Sequence, residues 1–149
     1  MKNKIVLLIV LATLYSTIGK AQETNRKIEL ANNFVKSVFL SQINAKNIMD
    51  SLMYFEPNEE YSMKVRCEIL RARLEYIKKE KSPSFNARNY EAIPYDNYKS
   101  EKIKFSKSAQ NVIILISSGK PLVYLFYKND KIFAFEYIKK DKDAYFITY

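Results

Sequence analysis

The first residue in this chain whose chemistry needs explaining is a carboxylate in an apolar run. Glu136 lies between Ala134 and Ile138 on one period-two face of KIFAFEYIK. There it must be paired, reach a cavity or bear a desolvation cost. Phenols stand nearby in the sequence: Tyr124 and Tyr137 within apolar runs, and Tyr95, with Tyr90 and Tyr98, in the proline-bearing stretch 82–100. An acid and a phenol are the parts of proton abstraction beside a carbonyl, the carboxylate as general base and a tyrosine donating to an enolate-like oxygen. They are equally the parts of a binding site. Tyr95, Tyr124, Glu136 and Tyr137 are therefore the candidate ligand-binding residues, and Glu136 is the one weak candidate for catalysis. A lysine reaching Glu136, or a sheet edge opening it to water, would make it structural instead.

Missing residue types exclude more than the present ones suggest. The chain has no histidine, which removes Ser-His-Asp and Cys-His nucleophilic systems and almost every zinc or haem site. Past residue 21 the one glycine is Gly119, too few for a phosphate-cradling loop. The run KKDKD places Asp141 and Asp143 among lysines, without the glycine and terminal glutamate of a calcium loop. No cofactor and no metal are expected, and the inventory argues against an enzyme. Cys67 is the sole cysteine, so no internal disulfide can form, and its place on an apolar helical stripe is that of a small buried hydrophobe.

Residues 1–21 have the pattern of a secretory leader: Lys2 and Lys4, the apolar run Ile5–Leu14, and small residues at Gly19 and Ala21. Thr13, Ser16 and Thr17 interrupt the run too early for a spanning helix. Cleavage after Ala21 would leave residues 22–149 as a single exported domain, periplasmic or secreted, with no stable membrane anchor. Losing Lys2, Lys4 and Lys20 takes the net charge from +9 to +6. That reads as a solvated lysine surface, and no basic cluster carries a nucleic-acid recognition motif.

These residues must be positioned by an α+β architecture. Ile28, Ala31, Val35 and Val38 recur at helical steps from about Thr24, with Asn25 as a possible cap. Ile48, Met49, Leu52 and Phe55 suggest a short second helix. Met63, Cys67, Leu70, Leu74 and Ile77 mark a third, ending near Lys81, with opposite charges at i, i+4 on its far side. The arginines of RCEILRAR therefore read as solvated surface.

After a loop with a strand near Tyr90–Ile93 come KIKF, NVIILIS, PLVYLFYK, KIFAFEYIK and AYFITY, joined by SG, ND and KDKD. These are antiparallel hairpins. With two-residue turns at Ser118–Gly119 and Asn129–Asp130, one sheet face collects Val112, Ile114, Val123, Leu125, Ile132, Ala134 and Ile138, plus Glu136. The other collects Ile113, Leu115, Leu122, Tyr124, Phe126, Phe133, Phe135 and Tyr137. Three helices cover one face. An exposed aromatic face would need a second copy, a partner or a ligand, unless strong sheet curvature wraps it around the helices. In this register Tyr124 and Glu136 fall on opposite faces, Glu136 toward the helices.

Three N-terminal helices followed by a curved antiparallel meander resemble the nuclear transport factor two-like group of the cystatin-like folds. The resemblance spans about Thr24 to Tyr149. It implies a cone enclosing a pocket, acidic and tyrosine residues in that pocket, and dimerisation through the open sheet face. No catalytic motif of the group's enzymes can be matched, and the glycine-containing loop of cystatin inhibitors is absent. The expectation is a small exported, non-catalytic binding protein, homodimeric through its sheet, with a small molecule or a protein as partner. The alternatives are an envelope immunity or inhibitor protein docking through the aromatic face, and a pocket enzyme using Glu136 as base.

Overall fold

The computed structural model describes residues 2–57, 60–106 and 108–148, with side chains from residue 19 onward. Three helices lead: α1 (Lys2–Val38), α2 (Ala45–Ser51) and α3 (Met63–Lys81). Four strands follow as an antiparallel meander in spatial order β1 (Tyr90–Pro94), β2 (Val112–Ser117), β3 (Lys120–Lys128) and β4 (Lys131–Ala134). A separate two-stranded sheet pairs β5 (Glu136–Lys140) with β6 (Asp143–Ile147). This is the expected α+β class, with helices on one face of an antiparallel meander.

The helices bury the stripes that their spacing marks. Ala31, Val35 and Val38 of α1 are buried, with Phe34 beside them. Asn25 caps nothing, because α1 already begins at Lys2. The expected leader, 1–21, falls mostly on residues whose side chains lie outside those described. Among the described residues no helix is long and apolar enough to cross a membrane.

In α2 the Asn44 side chain accepts a hydrogen bond from the Asn47 amide at 3.0 Å, and in α3 Ser62 Oγ accepts from the Val65 amide at 3.4 Å. Both are N-caps satisfying an amide that the helix cannot. Leu70, Leu74 and Ile77 pack inward, whereas Met63, at the first helical position, is exposed and Cys67 is half-buried. Arg66 departs from the solvated-arginine expectation. It is buried, its guanidinium donating to the Glu56 carbonyl at 2.8 Å and lying 5.0 Å from the Phe55 ring centre.

The two-residue turns form as expected. Ser118 and Gly119 (φ 50° and 79°) and Asn129 and Asp130 (φ 49° and 57°) place both central residues in the left-handed region, the type I′ geometry that continues strand twist. Two β-bulges then correct the expected register. Leu122 is an extra residue on β3, so Val123 faces Leu115 and Leu125 faces Ile113. Phe133 is an extra residue on β4, so Phe126 faces Ala134.

Each bulge shifts side-chain parity by one and re-sorts the faces. Ile113, Leu115, Val123, Leu125, Tyr127 and Phe135 join the helix-side core, while Val112, Ile114 and Tyr124 point away from it.

That second face is not left open, contrary to the expectation that nothing in the chain could cover it. KIKF forms no strand; instead, Phe105 makes an isolated bridge to Ala144 and packs under the sheet. KIFAFEYIK breaks at Phe135, and its second half pairs with β6 instead of β3. Phe105 stacks on Phe146 at 4.3 Å and meets Tyr124 and Tyr137 edge-on at 5.5 and 5.7 Å. Tyr95, Tyr98, Ile103, Phe105 and Ala109, with the β5–β6 hairpin, thus close a second small core. The chain covers its own aromatic face, so neither a second copy nor a docked partner is required there.

Candidate functional site

The break at Phe135 also creates a cleft. Where the chain leaves β4 it turns toward the C-terminal half of α3, leaving a hollow of about 360 Å³ between that helix, β3 and the start of β5. On α3, Arg73, Ile77 and Lys81 recur every four residues and so share one face, which lines the hollow. Tyr124 of β3 and Glu136 and Tyr137 of β5 line the opposite wall. An adjoining hollow of about 570 Å³ shares Lys81, Leu122, Tyr124 and Tyr137, and is closed by Tyr98, Glu101, Lys102 and Lys120.

Glu136 is nearly buried, 11% of its side chain exposed, and its Oε2 lies 3.7 Å from Nε of the half-exposed Arg73. The charged partner comes from the helix that the sequence presented as a solvated face. Lys81 donates to Glu80 at 2.7 Å, and this hydrogen bond, aided by one with Tyr76, holds the Glu80 carboxyl below its ordinary value.

Tyr124 and Tyr137 meet edge-to-face, centroids 5.7 Å apart at 89°. The Tyr124 hydroxyl accepts from the Ile103 amide at 3.0 Å. Burial pushes both phenols above the ordinary tyrosine value, so at neutral pH they remain protonated and neutral.

Of the four candidate residues, the structure thus brings Tyr124, Glu136 and Tyr137 to one cleft. Tyr124 and Glu136 meet there despite their expected opposite faces, because parity counted along a single strand does not survive the Phe133 bulge and the break at Phe135. Tyr95 lines neither hollow. Its hydroxyl donates to the Ile103 carbonyl at 2.7 Å, its ring packs on Phe105 at 6.1 Å, and burial raises its phenol too.

Tyr95 does hold Lys102, whose ammonium donates to the Tyr95 and Tyr98 carbonyls at 2.7 and 2.9 Å and sits 4.1 Å over the Tyr95 ring. Of the other loop tyrosines, Tyr90 packs with Phe85 against the helix-side core, while Tyr98 reaches the second hollow and donates to the Gly119 carbonyl. Arg73, Lys81, Lys102 and Lys120 were not among the candidates. The four-residue spacing of Arg73, Ile77 and Lys81 was the available signal for the first two.

Among the described residues no three acidic or thiol side chains gather as metal ligands. The arrangement offers hydrogen-bond donors, one ion pair and aromatic edges along an open groove. No family model, no curated protein and no solved structure matches this chain. The likeness to the nuclear transport factor two-like folds therefore stands on element order alone.

Proposed function

We propose that this chain is a small exported binding protein, non-catalytic, that holds a low-molecular-weight ligand in the cleft between α3, β3 and β5. It rests on convergence: Tyr124, Glu136 and Tyr137 from the strands and Arg73 and Lys81 from α3 line one hollow large enough for a small molecule. Export rests on the leader pattern of residues 1–21. The non-catalytic part rests on how the side chains are engaged. A general base must reach a substrate proton, and the one carboxylate of the strand wall, Glu136, is held against Arg73. The tyrosines keep their protons at neutral pH, so they offer hydrogen bonds and ring faces but no phenolate base.

A nuclear magnetic resonance screen of the isotope-labelled chain from Gln22, with small anionic, neutral and cationic compounds, tests the reading. Shifted amides are expected to cluster at Leu122–Tyr124 and Glu136–Tyr137. Compounds clustering instead at the aromatic hollow between Phe105, Phe126 and Phe133, or between α2 and α3, would overturn it.

A further inference from the structure

The two adjoining hollows differ in charge. In the first, Arg73 and Lys81 are answered by Glu136 and Glu80. In the second, Lys102 and Lys120 join Lys81, and Glu101 is the one carboxylate that lines it. Lys102 is half-buried, and no carboxylate of the described residues pairs with it. A half-buried ammonium gains from an anion beside it, and two carbonyls and an aromatic ring fix this one in place. Two of its three N–H donors are used in that way and one remains. The side chain of Lys120, exposed at the start of β3 beside the Gly119 turn, makes no hydrogen bond or ion pair among the described residues.

We propose that the groove binds a small organic oxyanion, its carboxylate or phosphate held between Lys102 and Lys120 and its body lying against Leu122 and Tyr137. This rests on reading the cleft as a ligand site and adds the class of ligand. A positioned ammonium with a spare donor and an exposed lysine lining the same groove can supply charge-assisted hydrogen bonds to an oxyanion. The neutral phenols of Tyr124 and Tyr137 add no opposing charge. Leu122, a bulge residue shared by both hollows, carries an apolar floor from one into the other.

The test compares four probes by amide shifts of the chain from Gln22: phenyl phosphate and benzoate, which separate the phosphate and carboxylate sources, inorganic phosphate, and benzyl alcohol. At least one ring-bearing anion is expected to shift amides at Ile103, Lys120 and Leu122 with affinity about tenfold above both inorganic phosphate and benzyl alcohol. Lys120→Gln removes no contact of the fold and is expected to weaken that anion about tenfold. Lys102→Gln is expected to do the same and to loosen the loop as well. If Lys102→Gln lowers stability while both variants leave anion affinity unchanged, Lys102 is only a loop tie and the inference fails. If benzyl alcohol shifts the cleft amides as strongly as the anions do, the inference fails and the binding cleft stands. If no probe shifts an amide of either hollow, the inference and the cleft reading fail together.

Discussion

Glu136 and Arg73 differ in what each would leave behind if its partner were removed. The carboxylate is nearly buried and the guanidinium half-exposed. Truncating the arginine removes one partner of a nearly buried carboxylate, whereas neutralising the carboxylate leaves a cation that water can reach. Arg73→Ala is therefore expected to lower stability more than Glu136→Gln, the latter by less than about 1 kcal/mol. Urea midpoints of the two variants and of the double variant check this, and losses that simply add would mean that the pair contributes nothing as a pair.

Tyr127 gives a second comparison. Its hydroxyl donates to the Lys27 carbonyl at 2.8 Å, one of the links from β3 to α1, so Tyr127→Phe is expected to cost about 1 kcal/mol. At this scale the strand-side residues of the cleft were legible, since a carboxylate and two phenols in apolar runs are conspicuous. Arg73 was not, because i, i+4 opposite charges give a solvated helix face and a cleft wall the same pattern. Lys102 was not either, since its position depends on the carbonyls of a loop with no period.

Elements were legible wherever their signals are local. The inward stripe Leu70–Leu74–Ile77 and the lysine-rich end before Pro83 mark α3, and the turn residues Ser118–Gly119 and Asn129–Asp130 mark two hairpins. Bulges were not legible. Leu122 and Phe133 are as apolar as their neighbours, and which strand residue is skipped depends on how the sheet packs, not on its own sequence. The Leu122 slip exchanges the faces of β2 relative to β3 and the Phe133 slip those of β4 relative to β3, which is why a conspicuous aromatic face looked exposed.

The element that covers it is held by few contacts. The β5–β6 hairpin joins the rest through the ring cluster at Phe105, the Arg73–Glu136 and Lys104–Asp143 ion pairs, and two backbone bonds, Ser106 to Ala144 and Ala144 to Lys104. Phe105→Ala is expected to cost about 3 kcal/mol. It should also speed hydrogen exchange across 136–147 more than across β2 and raise binding of a hydrophobic dye. Exchange accelerating equally in β2 and in the hairpin would show that the two sheets open as one unit.

At the scale of the whole molecule, covering the aromatic face and burying tyrosines have separate consequences. With much of that face covered by the chain itself, the apolar area that suggested a sheet-to-sheet dimer is smaller, and sedimentation of the chain from Gln22 tests whether such a dimer forms. The buried tyrosines are expected to weaken the fold at alkaline pH. Burial raises the phenols of Tyr95, Tyr124 and Tyr137 and pushes that of Tyr127 furthest. Below the ordinary tyrosine value, about 10, both folded and unfolded chains keep these protons, so the groups make stability no steeper or flatter with pH. Above it the unfolded chain releases them while the folded chain still holds them, so the unfolded state binds fewer protons and stability falls as pH rises.

The urea midpoint should therefore be nearly level from neutral pH to about 9 as far as tyrosines govern it, then drop steeply above about 10. Because phenylalanine has no proton to release, Tyr127→Phe should start lower at neutral pH but lose less of its remaining stability on the alkaline side. The two midpoint curves are expected to converge as pH rises. Parallel curves would mean that the Tyr127 phenol ionises in the folded chain as readily as in the unfolded one, and that the bond to the Lys27 carbonyl opens before the fold does.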